Sequence, residues 1–127
     1  MRRVIVKKLR DLRAFQPDFH RDVYDKVPVS PKTGSQFLEF RTSRVSPGGG
    51  DEFHAHPHSE QITYILSGTG KMVIGRRRVS LSKDMLVFIP PGIKHRIRNT
   101  GKKSLDYIIL WAPPPSAKDW VPKRKGS

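Results

Sequence analysis

HAHPHSEQITYILSG, residues 54–68, sets three histidines on alternate positions, then a Glu-Gln pair, then a run that alternates toward a glycine turn. Residues two apart on a strand leave the same face, so His54 and His56 can converge on one ion. Gln61 opens the next strand, and His95 enters another just after the tight Pro90-Pro91-Gly92 turn. His54, His56, Gln61 and His95 are four neutral nitrogen or oxygen donors from three strands. Aimed inward, they leave coordination positions open for water or substrate, which is the arrangement of a catalytic rather than a closed structural metal site. His58 keeps the alternation but follows Pro57, which disturbs the strand phase, so it is read as solvent-facing or as support for a ligand. Glu60 points to the face opposite Gln61.

Outward from this stretch the chain breaks into strand-length runs: Phe37–Val45, Glu52–His56, Gln61–Leu66, Gly70–Ile74, Arg77–Leu81, Met85–Ile89, His95–Asn99 and Ser104–Trp111. Pro47-Gly48-Gly49-Gly50, Ser67-Gly68-Thr69-Gly70, Pro90-Pro91-Gly92 and Asn99-Thr100-Gly101 supply the backbone freedom or preset φ that turns require. Eight short runs with such punctuation predict an all-β jelly roll or small barrel. Residues 1–35 read as a lead-in arm draped over an edge, 36–112 as the barrel, and 113–127 as a Pro-rich basic tail that cannot continue a central strand.

A chain of 127 residues suits one core. It has no cysteine, which excludes disulfides, thiolate ligands and a Cys nucleophile together. The N-terminal apolar run is far shorter than a signal peptide needs, and the longest apolar runs are strand-sized, so a cytoplasmic protein without membrane contact is expected. The net charge of +14 invites a nucleic-acid reading. However, +5 of it lies in residues 1–13 and +3 in residues 118–125, and no aromatic-and-basic stacking platform is evident. Specific nucleic-acid binding is not expected.

At this point the chain resembles the cupin superfamily, as a small single-domain member. The first cupin motif, a glycine, H-x-H, an acidic residue and a glycine, aligns with Gly48, His54-Ala55-His56, Gln61 and Gly68. The second aligns with Pro90-Pro91-Gly92, His95 and Asn99. The resemblance spans about residues 36–112 and implies a double-stranded β-helix holding a divalent transition metal (Fe, Mn, Ni, Zn or Cu). Gln61 stands where the family usually has Glu, although sugar-acid isomerases among the cupins also use Gln. An amide leaves the ion its full charge, weakening retention while strengthening it as a Lewis acid. Asp84 replaces a motif glycine at a turn, where Asp tolerates left-handed backbone better than most residues. Those isomerases carry a catalytic Asp and Arg near the chain end, and Lys118 and Asp119 do not clearly match them.

If Val45 faces the core, Ser43, Arg41 and Glu39 share its face; the opposite phase puts Phe40 and Thr42 inside. Thr63, Ile65 and Ile97 follow inward, leaving Arg96 and Arg98 as a solvated face. Either Tyr107, Ile109 and Trp111 or Asp106, Ile108 and Leu110 line the interior. The expected function is a metal-dependent enzyme (an isomerase, dioxygenase or decarboxylase) acting on a small oxygenated, anionic molecule such as a sugar acid, keto or hydroxy acid or phenol. Its general base would be metal-bound water, His58, Glu39 or a tyrosine, and Arg41 is a candidate anchor. The alternative is a non-catalytic small-ligand-binding or sensor protein. Family members pair through an outer sheet, and Ile62, Tyr64 and Leu66 would form such a patch in a homodimer.

Overall fold

The computed structural model describes residues 3–115 and 121–122. Its ten strands are β1 (His20–Val29), β2 (Glu39–Asp51), β3 (His54–Ala55), β4 (Glu60–Ser67), β5 (Gly70–Ile74), β6 (Arg77–Leu81), β7 (Leu86–Ile89), β8 (His95–Asn99), β9 (Leu105–Ala112) and β10 (Val121–Pro122). All pairings are antiparallel. One layer runs β1-β2-β9-β4-β7; the other joins β10, β3, β8, β5 and β6, and the two meet where Gly50 of β2 pairs with Arg98 of β8. The result is the expected all-β jelly-roll barrel.

Period-two alternation sets which side chains enter the barrel. Val45, Ile65, Met72, Leu81, Ile97, Leu105 and Tyr107 form its core, and burying each large apolar side chain contributes about 1.5–3 kcal/mol. Val45, Ser43 and Glu39 are buried together, which settles the β2 phase; Tyr107 and Trp111 are buried on β9.

Two elements differ from expectation. The lead-in contains a ten-residue strand, β1, paired along β2. Its inward face carries Asp25 after Val23, and it includes Pro28, so neither apolar alternation nor composition announced it. The Pro47–Gly50 stretch is not a stop but the continuation of β2. Gly48 takes φ 82°, the β1–β2 register shifts between Arg21 and Val23, and a Cβ at Gly50 would lie 2.3 Å from the Ile97 carbonyl oxygen. Glycine there permits a bulge and a close strand crossing, which carries Asp51 and the following histidines into the interior. Asp84 has φ 72°, as its replacement of glycine foretold.

Asn99 secures the turn after β8. Its Nδ2 donates to the carbonyls of Val45 and Lys103, each at 2.8 Å, while Oδ1 accepts from the Gly101 amide at 2.9 Å. Asn99→Ala strands these buried groups and is expected to destabilise the fold by about 2–3 kcal/mol, read as a lower urea midpoint at unchanged slope.

Candidate metal centre

His54 leaves β3 and pairs in register with His95 at the start of β8, while His56 follows one residue beyond β3. All three are at most 3% exposed. One ring nitrogen from each lies within 4.8 Å of the others, so a small inward tilt would place them around one ion at metal–nitrogen distances of about 2.1 Å. Nδ1–H of His54 donates to the Glu52 carbonyl at 2.7 Å, and Nδ1–H of His95 to the Ile93 carbonyl at 2.9 Å. These bonds fix the tautomer and leave the lone pair on Nε2, the usual device for orienting a ligating imidazole. Nε2 of His95 is buried without a hydrogen-bond partner among the described residues. A buried lone pair so placed costs stability unless something binds it.

The fourth expected donor, Gln61, is also buried in this wall. Its Oε1 accepts from the Trp111 indole N–H at 2.9 Å and its Nε2 donates to Thr63 Oγ1 at 3.0 Å. The amide orientation is therefore set, with one Oε1 lone pair beyond the Trp111 bond. The three imidazoles, each with a ring nitrogen to offer, and the space beside them fit a divalent transition ion.

That space is a cavity of about 380 Å³ lined by His54, His56, His95, Gln61, Arg41, Trp111 and Tyr107, with Asp51, Asp25, His20 and Phe15 further round. Arg41 faces inward but is already held: Nε donates to Glu39 Oε2 at 2.9 Å and Nη1 to Asp25 Oδ2 at 3.0 Å. Its Cζ lies 5.1 Å from the Trp111 ring centre and 5.7 Å from that of Phe15. The Ser43 hydroxyl also donates to Asp25, at 2.6 Å. His58 is exposed and outside the cavity lining. Lys118 and Asp119 lie outside the described residues.

Sequence reasoning missed His20, Asp25 and Asp51 as lining residues. Asp51 accepts from the Ile97 amide at 2.7 Å and sits 3.8 Å from His20 Nε2 and 3.9 Å from His54 Nδ1. Its place three residues before His54 was the available signal. Burial pushes its carboxyl up to about 8. Burial lowers His54, with the neighbouring His95 adding to the effect, and burial lowers His95 too. The Tyr107 phenol is raised well above its ordinary range by burial.

These shifts have opposite consequences for metal-free protein. Below about pH 6.5 the unfolded chain takes up protons that folded His54 and His95 refuse, so stability falls on acidification. Folded Asp51 holds a proton that the unfolded chain releases, so its contribution is lost as pH rises from about 4 to 8. Metal-free protein should therefore be most stable near pH 6.5, and Asp51→Asn should flatten the alkaline arm of a melting-temperature profile.

The cupin domain family profile matches residues 41–112. An uncharacterized protein of Methanocaldococcus jannaschii is 35% identical over 110 residues, covering 76% of this chain and 88% of that protein. A mannose-1-phosphate guanylyltransferase of Klebsiella pneumoniae is 28% identical over 99 residues, 72% of this chain but only 20% of the enzyme. The crystal structure of a predicted oxalate decarboxylase from Thermotoga maritima superposes with a TM-score of 0.77 at 21% identity, covering 86% of this chain and 99% of that one. The polyketide cyclase RemF of Streptomyces resistomycificus gives 0.75 at 19% identity, covering 91% and 81%.

Proposed function

The chain belongs to the cupin domain family, and we propose that it is a metal-dependent enzyme acting on a small oxygenated molecule, with His54, His56, His95 and Gln61 as the ligands of a divalent transition ion. The buried, unpartnered Nε2 of His95 at the wall of the cavity carries this reading. When bound, such an ion supplies Lewis-acid polarisation of a carbonyl, enol or hydroxyl oxygen.

The remaining steps fall to side chains. Four neutral ligands leave the ion's charge uncompensated, so an anionic oxygen is drawn to that end of the cavity. Arg41, already shared by two carboxylates, is the weaker anion site, and the ligand's negative group belongs at the metal end. Trp111 offers a flat wall between His56, whose ring centre is 5.4 Å away, and Arg41; this suits a planar or sugar-sized ligand. Tyr107, held neutral, is a hydrogen-bond donor rather than a base. Asp51 replaces His58 and Glu39 as the acid–base candidate: it lines the cavity, whereas His58 faces solvent and Glu39 is committed to Arg41.

A sugar acid, a keto or hydroxy acid, or a phenol meets these requirements. The names of the guanylyltransferase relatives point to sugar phosphates, but the chain spans only about a fifth of those proteins. Metal content of protein purified without added metal, followed by product analysis with a panel of these acids and phenols, tests the reading. Absence of stoichiometric metal overturns it; a ligand that raises the melting temperature yet emerges unchanged favours the sensor alternative.

Gln61→Glu supplies a further test. A carboxylate can still accept from the Trp111 N–H and from the Thr63 hydroxyl, so the fold should tolerate it. The added negative charge is expected to tighten metal retention at least tenfold in competition with a chelator.

We also assign a homodimer to the outer face of the first layer. There Ile62 pairs with Phe88 and Leu110, and Tyr64 with Leu86 and Ile108, making a contiguous apolar surface across β7, β4 and β9. Leu86 and Phe88 are 58% and 50% exposed on it, and contiguous exposed apolar side chains mark interaction surfaces. A solution mass of twice the chain is expected, reverting to one chain in Ile62→Lys/Phe88→Lys.

A further inference from the structure

The fold gathers cations that look scattered along the chain. On β5, Met72 points into the core and Lys71 and Val73 point out; on β6, Val79 and Leu81 turn inward and Arg78 outward; on β8, His95, Ile97 and Asn99 are buried and Arg96 and Arg98 face out. The register places Lys71 directly opposite Arg98, and Val73 between Arg78 and Arg96. Lys94, exposed on the residue before β8, continues the same side. Neighbouring strands lie about 4.8 Å apart and same-face residues about 6.7 Å apart along a strand. Five cations thus share one face of three short strands.

None of the five is in an ion pair among the described residues; the charged pairs there involve Arg41, Arg44 and the histidines. Like charges directly across a strand pair are destabilising; Arg98 is partly offset by the field of Asp51, and an external anion would relieve the remaining repulsion with Lys71. Arg96 is pinned with its Cζ 4.6 Å from the Phe53 ring centre, which reduces the freedom it loses on binding. Three of the five are arginines, suited to bidentate contact with phosphate oxygens.

We propose that the outer face of β6-β5-β8 binds single-stranded nucleic acid through its phosphodiester backbone, without reading its sequence. A protein partner or an inserting membrane face would use exposed apolar anchors, and this face has only the half-buried Val73 at its centre and the half-buried Phe53 ring against Arg96. A convex sheet with no protruding helix has nothing to enter a duplex groove, whereas a flexible strand can follow the cation lattice. The face lies on the layer opposite the apolar one, so it stays open in the proposed dimer.

The test is fluorescence anisotropy of a labelled mixed-sequence 20-nucleotide DNA strand against the full chain, between 50 and 300 mM salt. Four to five neutralised phosphates give a slope of log affinity against log salt of about −3. Lys71→Glu/Arg78→Glu/Arg98→Glu, all exposed positions, should weaken binding at least tenfold and flatten the slope, with the circular dichroism spectrum of the folded chain retained. The control Lys8→Glu/Arg13→Glu/Lys83→Glu makes the same change in net charge elsewhere and should leave most of the binding intact. Equal losses in both triple variants, tighter binding to duplex of the same sequence, or tighter binding to anionic phosphatidylglycerol vesicles would each overturn the proposal.

Discussion

His95→Ala is expected to lower metal affinity more than a hundredfold, so that protein purified by dialysis carries no stoichiometric ion. Loss of an outer hydrogen-bonding partner already costs ten- to a hundredfold in such sites, and His95 would contribute a ligand atom itself. The companion measurement separates a ligand from a packing residue. Metal bound at a hundred times its dissociation constant stabilises a fold by about 2.7 kcal/mol, so wild type should melt higher with metal than after chelation. The variant should melt alike in both states. Metal-free, it should lose only what deleting the buried ring and its Nδ1–H bond to the Ile93 carbonyl costs, about 1–3 kcal/mol, because the deleted Nε2 makes no hydrogen bond among the described residues. A purely structural His95 predicts the reverse: a loss of stability that chelation leaves unchanged. Because burial lowers His54 and His95, wild type should also keep its metal below the usual imidazole range, with release deferred to more acid pH.

The clustering of His54, His56 and His95 was legible because it depends on local spacing. The two-residue step of His54 and His56, and the turn that delivers His95, are properties of adjacent residues; β5, β6 and β8 came out at the bounds assigned from the sequence. What escaped depends on long-range register. β1 hides its inward face behind a carboxylate, since Asp25 occupies a position where a sequence reader expects an apolar residue, and only the pairing Asp25↔Ser43 reveals that its partners lie across the sheet. The cationic face was missed for the same reason: Arg96 and Arg98 look like a solvated edge until the hairpin brings Lys71 and Arg78 beside them. Conversely, the Pro47–Gly50 run was read too locally, because glycines that end one strand in isolation here let two strands cross.

Arg41→Met is expected to cost about 4 kcal/mol, read from urea midpoints. Asp25 and Glu39 are 2% and 6% exposed and share this one guanidinium. Removing it leaves two carboxylates buried without a cation, the situation in which breaking a buried pair costs about 3–5 kcal/mol. Methionine retains much of the aliphatic stem between Phe15 and Trp111, so lost packing is a minor part. Adding Asp25→Asn and Glu39→Gln should recover most of the loss, since neutral amides remove the unpaired charges. The same experiment bears on recognition. If the triple variant regains stability and still shows a ligand-induced rise in melting temperature, Arg41 organises the cavity wall and the metal end holds the anion; if stability returns but ligand response does not, the guanidinium itself is the anchor.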